Sequence, residues 1–294
     1  MSLFETIIIA IVEGLTEYLP VSSTGHMIIA QKLLNVESTE FVKAFTIIIQ
    51  FGAILSVIVL YWKRFFKLNE IRIFDKNSVG GLTKCARSKV YFQRFLYKYD
   101  FYWKLVIAFI PAMILGLLFN DLIDKMLESV MVVAVMLVLG GILMLFVDKW
   151  FNHPSENQTM DWKRALKIGF FQCISMIPGV SRSMATIVGG MTTKLTRKNA
   201  AEFSFFLAVP TMAGASGLKM VKMLTEPGGM DMLRENAITL IIGCVVAFIV
   251  AMAAIRFFID FLTKYGFKAF GYYRIIVGTV IIGLLLAGLN LSMV

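Results

Sequence analysis

The sequence predicts an all-α polytopic membrane protein with an inverted-topology repeat, in which each half is a re-entrant helix hairpin plus three transmembrane helices. Three observations support this fold class: an apolar composition, six apolar segments of spanning length, and two long apolar stretches with polar interruptions. Of the 294 residues, 58% are hydrophobic and 16% are charged, whereas a soluble domain carries about 25% charged residues. The composition, with only three scattered cysteines, therefore excludes a soluble enzyme, a disordered chain and a small disulfide scaffold.

Six segments predict the transmembrane helices, because a spanning helix needs roughly 20 mostly apolar residues. These segments are Ala44–Trp62, Leu105–Asn120, Ser129–Val147, Phe203–Leu218, Asn236–Ile255 and Ile275–Val294. The mean hydropathy of +0.77 agrees with so large a membrane-embedded share of the chain. We therefore expect a multi-pass membrane protein.

Two further apolar stretches, Thr6–Leu34 and Ala165–Lys194, are too long for a half-crossing and too interrupted for a span. The interruptions are Glu13, Glu17 and Pro20 in the first stretch, and Pro178, Gly179 and Arg182 in the second. This pattern of helix, polar elbow and helix predicts re-entrant hairpins over residues 3–34 and 165–194. Irregular backbone at membrane depth persists only where protein or a water-filled cavity surrounds it.

The basic residues predict the orientation of the chain. The loop Lys63–Lys104 holds eleven basic residues against three acidic ones, which places it in the cytoplasm. Alternation from there puts Lys149–Lys167, Lys194–Lys198 and Arg256–Arg274 inside as well, with twenty-two basic residues inside and six outside. Arg182 is left on neither side, and both termini come out external. The net charge of +10 thus reflects cytoplasmic loops, and we expect no nucleic-acid partner.

The two halves, residues 1–150 and 151–294, resemble each other weakly. Pro20-Val21-Ser22-Ser23 corresponds to Pro178-Gly179-Val180-Ser181-Arg182-Ser183, with a small insertion. Because three spans is an odd number, the second half must be upside down relative to the first. The first hairpin then enters from outside and the second from the cytoplasm. In such folds the functional site lies near the midplane, where broken helices of both halves meet.

Glu13 and Glu17 are candidate metal ligands. They are four residues apart and share one face of the first hairpin helix. Two adjacent carboxylates repel each other unless a cation or a shared proton relieves them. Mg²⁺ typically takes one or two carboxylates together with substrate phosphate oxygens. The alternative is that both glutamates are solvated at the membrane surface.

The first elbow is dense in hydroxyl groups, which belong to Ser22, Ser23 and Thr24. Any one of them could simply cap the next helix. Ser23 and His26 are three residues apart on one helix face, so the imidazole could activate the hydroxyl as a nucleophile. A serine and a histidine at this spacing also occur often by chance.

The second elbow supplies a positive charge in Arg182, together with the hydroxyls of Ser181, Ser183 and Thr186. A guanidinium is a fork suited to phosphate oxygens, and a helix N-terminus binds anions. Arg182 could instead only pair with Glu13 or Glu17 and hold the two hairpins together; we expect both roles. Two carboxylates, a Ser/His pair, an arginine and two helix N-termini suit phosphoryl transfer on a substrate whose other end belongs in lipid.

These motifs resemble those of the undecaprenyl-diphosphatase family of the bacitracin-resistance type. The resemblance rests on EGLTEYLPVSSTGH at residues 13–26 and PGVSRSMAT at 178–186, and it extends to AEFSFFLAVP at 201–210. It implies a bacterial inner-membrane enzyme that hydrolyses undecaprenyl diphosphate to undecaprenyl phosphate and inorganic phosphate. It further implies a Mg²⁺ or Ca²⁺ requirement, a site open to the external side, recycling of the lipid carrier for peptidoglycan synthesis, and bacitracin resistance.

The family pattern makes Ser23, His26, Glu17 and Arg182 the expected catalytic group. Phosphate contacts are expected from Arg182 and from the hydroxyls of Ser22, Thr24, Ser181, Ser183 and Thr186. Ser23 would attack the terminal phosphorus with His26 or Glu17 taking its proton; direct attack by water would look the same in the sequence. A homodimer is left open.

One other class of phosphatase can be set aside, and one class of carrier stays an alternative. The lipid phosphatases of the type-2 phosphatidic acid phosphatase superfamily have a Ser-Arg-x5-His motif, whereas this chain has Ile187, Val188 and Gly189 in the region where that histidine would stand. A carrier of prenyl phosphates could share the inverted repeat and broken helices. A carrier has no need of Ser23 and His26, whereas a phosphatase with a serine nucleophile does.

Overall fold

The computed structural model describes residues 1–37, 39–69, 83–127 and 129–288. Within these ranges the regular secondary structure is helical. The helices are α1 (Leu3–Thr16), α2 (Ser23–Leu33), α3 (Glu40–Leu60), α4 (Trp62–Phe66), α5 (Lys84–Lys98), α6 (Asp100–Leu118), α7 (Asn120–Leu127), α8 (Val130–Phe151), α9 (Trp162–Ile174), α10 (Arg182–Thr192), α11 (Arg197–Thr225), α12 (Gly229–Glu235), α13 (Ala237–Tyr265) and α14 (Lys268–Leu286).

Six of the described helices, α3, α6, α8, α11, α13 and α14, are long and apolar enough to cross a membrane. Each overlaps one of the six segments predicted from the sequence, so the prediction of an all-α multi-pass membrane protein is confirmed. Residues 289–294 of the last predicted span lie outside the described residues, as do residues 70–82 of the predicted loop 63–104.

Two helix hairpins occupy the interrupted stretches. The chain turns back between α1 and α2, and again between α9 and α10, as predicted for residues 3–34 and 165–194. Ser22 and Ser181 precede the second helix of each hairpin, and both have unusual backbone angles: φ 71° and ψ 102° for Ser22, φ 74° and ψ 118° for Ser181. A non-glycine residue in such a conformation costs roughly 1–3 kcal/mol and persists only when its surroundings fix it. The two elbows thus share one strained geometry.

Each hairpin packs against a span from the other half of the chain. Helix α1 lies along α13, and α9 lies along α6. A Cβ at Gly14 would lie 2.8 Å from the carbonyl oxygen of Ala247, and one at Gly169 would lie 2.4 Å from that of Ala108. Small residues allow membrane helices to approach this closely. The paired contacts agree with the internal repeat; its inversion stays a prediction.

The structure corrects the predicted location of one basic residue, Arg274. The sequence placed Arg274 in a cytoplasmic region, but α13 continues to Tyr265 and α14 already begins at Lys268. Arg274 is therefore in the second turn of a spanning helix, and its side chain is fully buried. The reason for the error is physical: backbone carbonyls from other segments satisfy this guanidinium, and the sequence does not show such contacts.

Candidate active site

The first elbow brings Glu17 and Ser23 together. Glu17 directly follows the last residue of α1, and Ser23 is the first residue of α2. Because the elbow reverses the chain between them, the two side chains meet although they are six positions apart in the sequence. The Ser23 hydroxyl donates to Glu17 Oε2 over 2.8 Å. A serine that donates to a carboxylate has a base in place for its proton.

Arg182, the first residue of α10, joins the second hairpin to this pair. Its Nη2 lies 3.1 Å from Glu17 Oε1, and its Nη1 donates to the carbonyl of Ser204 over 3.2 Å. The side chains of Arg182 and Glu17 are only 12% and 9% exposed. The expected pairing between the two hairpins is present, and one carboxylate links the serine to the arginine.

Glu13 lies one turn before Glu17 on α1 and is almost completely buried. Among the described residues its Oε1 finds no hydrogen-bond partner, and neither does Arg182 Nε. The described residues hold no group of three His, Cys, Asp or Glu side chains that could bind a metal ion by themselves. Carboxylate oxygens suit Mg²⁺ and Ca²⁺, and Mg²⁺ commonly completes its shell with substrate phosphate and water. Glu13 and Glu17 therefore fit an ion that is bound together with a phosphate substrate.

His26 is held by partners other than Ser23. Its Nδ1 lies 2.8 Å from the carbonyl oxygen of Ser22, and its Nε2 lies 2.7 Å from the hydroxyl of Tyr273. Because a carbonyl only accepts, Nδ1 carries the proton and Nε2 accepts from the tyrosine. The two rings also stack, with 5.5 Å between centroids. The spacing put His26 within reach of Ser23, but the Ser23 hydroxyl donates to Glu17 instead. Which of the two takes the serine proton stays a prediction.

Tyr273 was not predicted from the sequence. It belongs to α14, which is far from both motifs in the chain. The only signal was a polar pair, Tyr273 and Arg274, at the edge of a predicted span. Without the fold, nothing connects that pair to the first hairpin.

The hydroxyls of the second elbow are engaged within the protein. Ser183 is fully buried and donates to the carbonyl of Leu19 over 2.8 Å, which ties the second hairpin to the first elbow. Thr186 is also fully buried and hydrogen-bonds the Ser204 hydroxyl over 2.6 Å. Ser181 lies 3.0 Å from the Ser183 hydroxyl and caps α10. These three hydroxyls were predicted to contact phosphate, and in this structure their hydrogen bonds hold the second elbow in place.

On the first elbow, Ser22 is buried and precedes α2 without a side-chain cap, whereas Thr24 is partly exposed. Ser23 and Arg182 begin their helices, so two helix N-termini stand beside the carboxylate that bridges them. Helix N-termini carry unpaired N–H groups and attract anions. The site therefore combines a serine hydrogen-bonded to a carboxylate, a guanidinium paired with the same carboxylate, and two helix N-termini.

Comparison with known proteins identifies the family to which this chain belongs. The family described as "Bacitracin resistance protein BacA" matches residues 6–280. The chain belongs to this family. The match covers every residue of the site, from Glu13 to Tyr273.

Curated relatives of this BacA-family chain are similar along their whole length. A protein of Porphyromonas gingivalis is 57% identical over 99% of this chain and 100% of its own length. One of Flavobacterium johnsoniae is 51% identical over 96% of both chains, and one of Bdellovibrio bacteriovorus is 46% identical over 100% of both. Each of these relatives is named undecaprenyl-diphosphatase.

Proposed function

We propose that this BacA-family protein is a membrane phosphatase that hydrolyses undecaprenyl diphosphate to undecaprenyl phosphate and inorganic phosphate. The observation that carries the proposal is the hydrogen bond from Ser23 to Glu17, whose other oxygen pairs with Arg182. The names of the relatives agree with it. The reaction recycles the lipid carrier for peptidoglycan synthesis and confers bacitracin resistance.

The reaction begins with attack by the Ser23 oxygen on the terminal phosphorus. Glu17 Oε2 takes the hydroxyl proton along the existing hydrogen bond. The bond between the terminal phosphorus and the bridging oxygen breaks, and undecaprenyl phosphate leaves with that oxygen. Water then attacks the phosphorus of the phosphoserine, the bond between that phosphorus and the Ser23 oxygen breaks, and Glu17 returns its proton to the serine oxygen. The oxygen of the water leaves as part of inorganic phosphate, which keeps both protons of the water. Each step needs one base or acid, and Glu17 is in place for both.

Charge neutralisation and positioning supply most of the catalysis in phosphoryl transfer. Arg182 can turn its fork from Glu17 to the phosphate oxygens, and its unpartnered Nε is a further donor. The N–H groups at the starts of α2 and α10, with the hydroxyls of Ser22 and Thr24, offer additional contacts. Ser181, Ser183 and Thr186 hold the second elbow against the first. His26, fixed by Tyr273, lies on the same helix as Ser23 and orients the first elbow.

Glu13 and Glu17 would hold a divalent cation, Mg²⁺ or Ca²⁺, with the diphosphate. When bound, such an ion neutralises negative charge on the phosphate oxygens. We expect EDTA to abolish phosphate release and added Mg²⁺ or Ca²⁺ to restore it. The Glu13→Gln variant should need roughly tenfold more metal for half-maximal release, because a ligand charge is lost. Glu235→Gln, a substitution on the separate helix α12, is the matched control and should behave like the wild type. An unchanged metal requirement in Glu13→Gln would contradict this assignment.

We place the protein in the bacterial inner membrane, with the active site open to the external side. The excess of basic residues in the regions assigned to the cytoplasm supports this orientation. The homodimer that the sequence leaves open stays a prediction.

Phosphate release from undecaprenyl diphosphate by the purified protein in detergent tests the proposed function. We expect metal-dependent release by the wild type. If folded wild-type protein with accessible lipid releases no phosphate, the enzyme is excluded and a carrier of prenyl phosphates becomes the leading interpretation.

Tyr273→Phe should lower the turnover number modestly, by about 3–10-fold, because it removes one hydrogen bond to His26 and keeps the stacked ring. Steady-state phosphate release measures this effect. The neighbouring Tyr272, which is 59% exposed, offers Tyr272→Phe as a matched control with wild-type turnover. Equal turnover in both variants would remove Tyr273 from the site.

A further inference from the structure

Arg274 is a buried cation that the proposed reaction does not use. Its side chain is fully buried in α14, and none of the ion pairs among the described residues includes it. Isolated buried charges are costly unless hydrogen bonds satisfy them. In this chain, backbone carbonyl groups satisfy the guanidinium.

Three of these carbonyls belong to the two hairpin elbows. Arg274 Nη1 donates to Pro20 O over 3.1 Å and to Val180 O over 3.0 Å. Its Nη2 donates to Gly179 O over 2.6 Å. The remaining bonds run from Nη2 to Met136 O over 3.1 Å and from Nε to Leu137 O over 3.3 Å, both on α8. Five N–H groups meet five acceptors, so the full donor capacity of the side chain is used.

These contacts fix the elbows directly before the residues that do the chemistry. Pro20 stands two residues before the strained Ser22, and Val180 stands immediately before the strained Ser181. Ser23 and Arg182 are the next residues after those serines. A single guanidinium therefore sets the distance between the two helix N-termini and helps hold both strained serines in place.

We propose that Arg274 is a positioning residue, which clamps the two elbows so that Ser23, Glu17 and Arg182 meet around the diphosphate. This inference rests on the proposed phosphatase function. Lysine cannot replace the arginine, because an ammonium has three donors and no planar fork. A clamp of this kind acts on both substrate binding and turnover, since it aligns the anion-binding helix ends as well as the nucleophile.

Two variants test the clamp in the full-length protein. Arg274→Lys keeps the charge and loses the fork. Gly140→Ala keeps Arg274 but displaces it, because a Cβ at Gly140 would lie 2.4 Å from Nη2, the far end of a flexible side chain. Gly283→Ala is the matched control on α14, where a Cβ meets nothing within 4 Å. We expect kcat/KM for undecaprenyl diphosphate to fall at least about tenfold in both test variants, with KM raised and kcat lowered, and to stay unchanged in the control.

A merely structural role predicts a different result. It would lower the maximal rate only in proportion to the folded fraction, measured by monodispersity and thermal unfolding, and would leave KM unchanged. That result, or wild-type kinetics in both variants, would overturn the inference. If Arg274→Lys does not fold, Gly140→Ala carries the test. An inactive wild type would instead refute the proposed function, so the two failures are distinguishable.

A second, independent observation concerns α5. Its 15 residues include five basic and no acidic side chains. Tyr91, Phe92 and Phe95 form an aromatic face, and each is more than half exposed. Helices that combine aromatic and basic residues in this way bind at membrane interfaces.

The C-terminal end of α5 is held close to the spanning helix α6. Trp103 on α6 donates its indole N–H to the carbonyl of Leu96 over 3.0 Å, and Asn69 donates to the carbonyl of Tyr97 over 2.9 Å. Only Tyr99 separates α5 from α6. From this tether and from charge complementarity, we infer that α5 lies on the adjacent leaflet and binds anionic lipid headgroups.

Cys85 provides a probe of this surface, because it is exposed and lies seven residues before Phe92 on the same face. The full-length protein, with Cys173→Ala and Cys244→Ala, is labelled at Cys85 with an environment-sensitive maleimide and placed in nanodiscs. We expect the emission of the label to be blue-shifted in nanodiscs that contain phosphatidylglycerol, relative to nanodiscs of phosphatidylcholine alone. Added salt should reverse this shift, and the double substitution Arg87→Gln with Lys89→Gln should weaken it. Lys163→Gln, a basic residue on α9, is the matched control and should keep the shift. Equal emission in both lipid compositions would overturn the inference.

Discussion

Arg182→Ala is expected to lower the turnover number at least about a thousandfold, the scale of an arginine that stabilises the transition state of phosphoryl transfer. The loss has two sources. The substrate phosphate loses the guanidinium group that would donate to its oxygens, and Glu17 loses the cation that lies 3.1 Å from its Oε1. Arg182→Lys should also be strongly impaired, because lysine keeps the charge without the bidentate geometry. Steady-state phosphate release from undecaprenyl diphosphate measures both variants.

Arg197 offers a matched control for the loss of an ion pair. Its Nη2 lies 2.8 Å from Asp148 Oδ1, with side chains 18% and 13% exposed, similar to the Arg182–Glu17 pair. Removing one partner of a buried pair costs about 3–5 kcal/mol of stability, so we expect Arg182→Ala and Arg197→Ala to unfold at similarly lowered temperatures. Only Arg182→Ala should lose the activity of its folded fraction. Equal specific activity of the two folded variants would contradict the proposed role.

Glu17→Gln is expected to lower the turnover number by about 10²–10⁴-fold, the usual contribution of a general base. Glutamine has nearly the same shape and can still accept the Ser23 hydrogen bond, but it takes up no proton. Steady-state kinetics of the purified variant measures the loss. Glu226→Gln, an exposed substitution at the end of α11, is the matched control. A turnover number that stays within a few-fold of the wild type would place the base elsewhere and return His26 to that role.

The six spans and both hairpins could be predicted from the sequence, because run length and interruption are local properties of the chain. A span such as α8 is one long apolar segment. Each hairpin is marked by charges and a proline inside such a segment. A pair between Arg182 and either Glu13 or Glu17 was predicted as well, since opposite buried charges in one membrane site have few other partners; the structure shows that the partner is Glu17.

The finer geometry of the site could not be predicted, because it depends on contacts distant in sequence. The i,i+3 spacing put His26 on the face of Ser23, yet Tyr273 and the Ser22 carbonyl hold the ring. Glu17 reaches Ser23 only because the elbow reverses the chain. Arg274 was read as a loop cation, because its carbonyl partners lie 94 to 254 residues away.

The fate of the terminal phosphate at Ser23 tests the proposed serine phosphatase most directly. Undecaprenyl diphosphate labelled in that phosphate is mixed with the wild type, with Ser23→Ala and with the control Ser175→Ala. Each reaction is quenched in acid within one turnover, and the label on the protein is located by peptide mapping. We expect label on the peptide that contains Ser23 in the wild type and in Ser175→Ala, and loss of both label and turnover in Ser23→Ala. Wild-type turnover by Ser23→Ala, with no labelled peptide in any of the three proteins, would contradict this proposal and assign the attack to water.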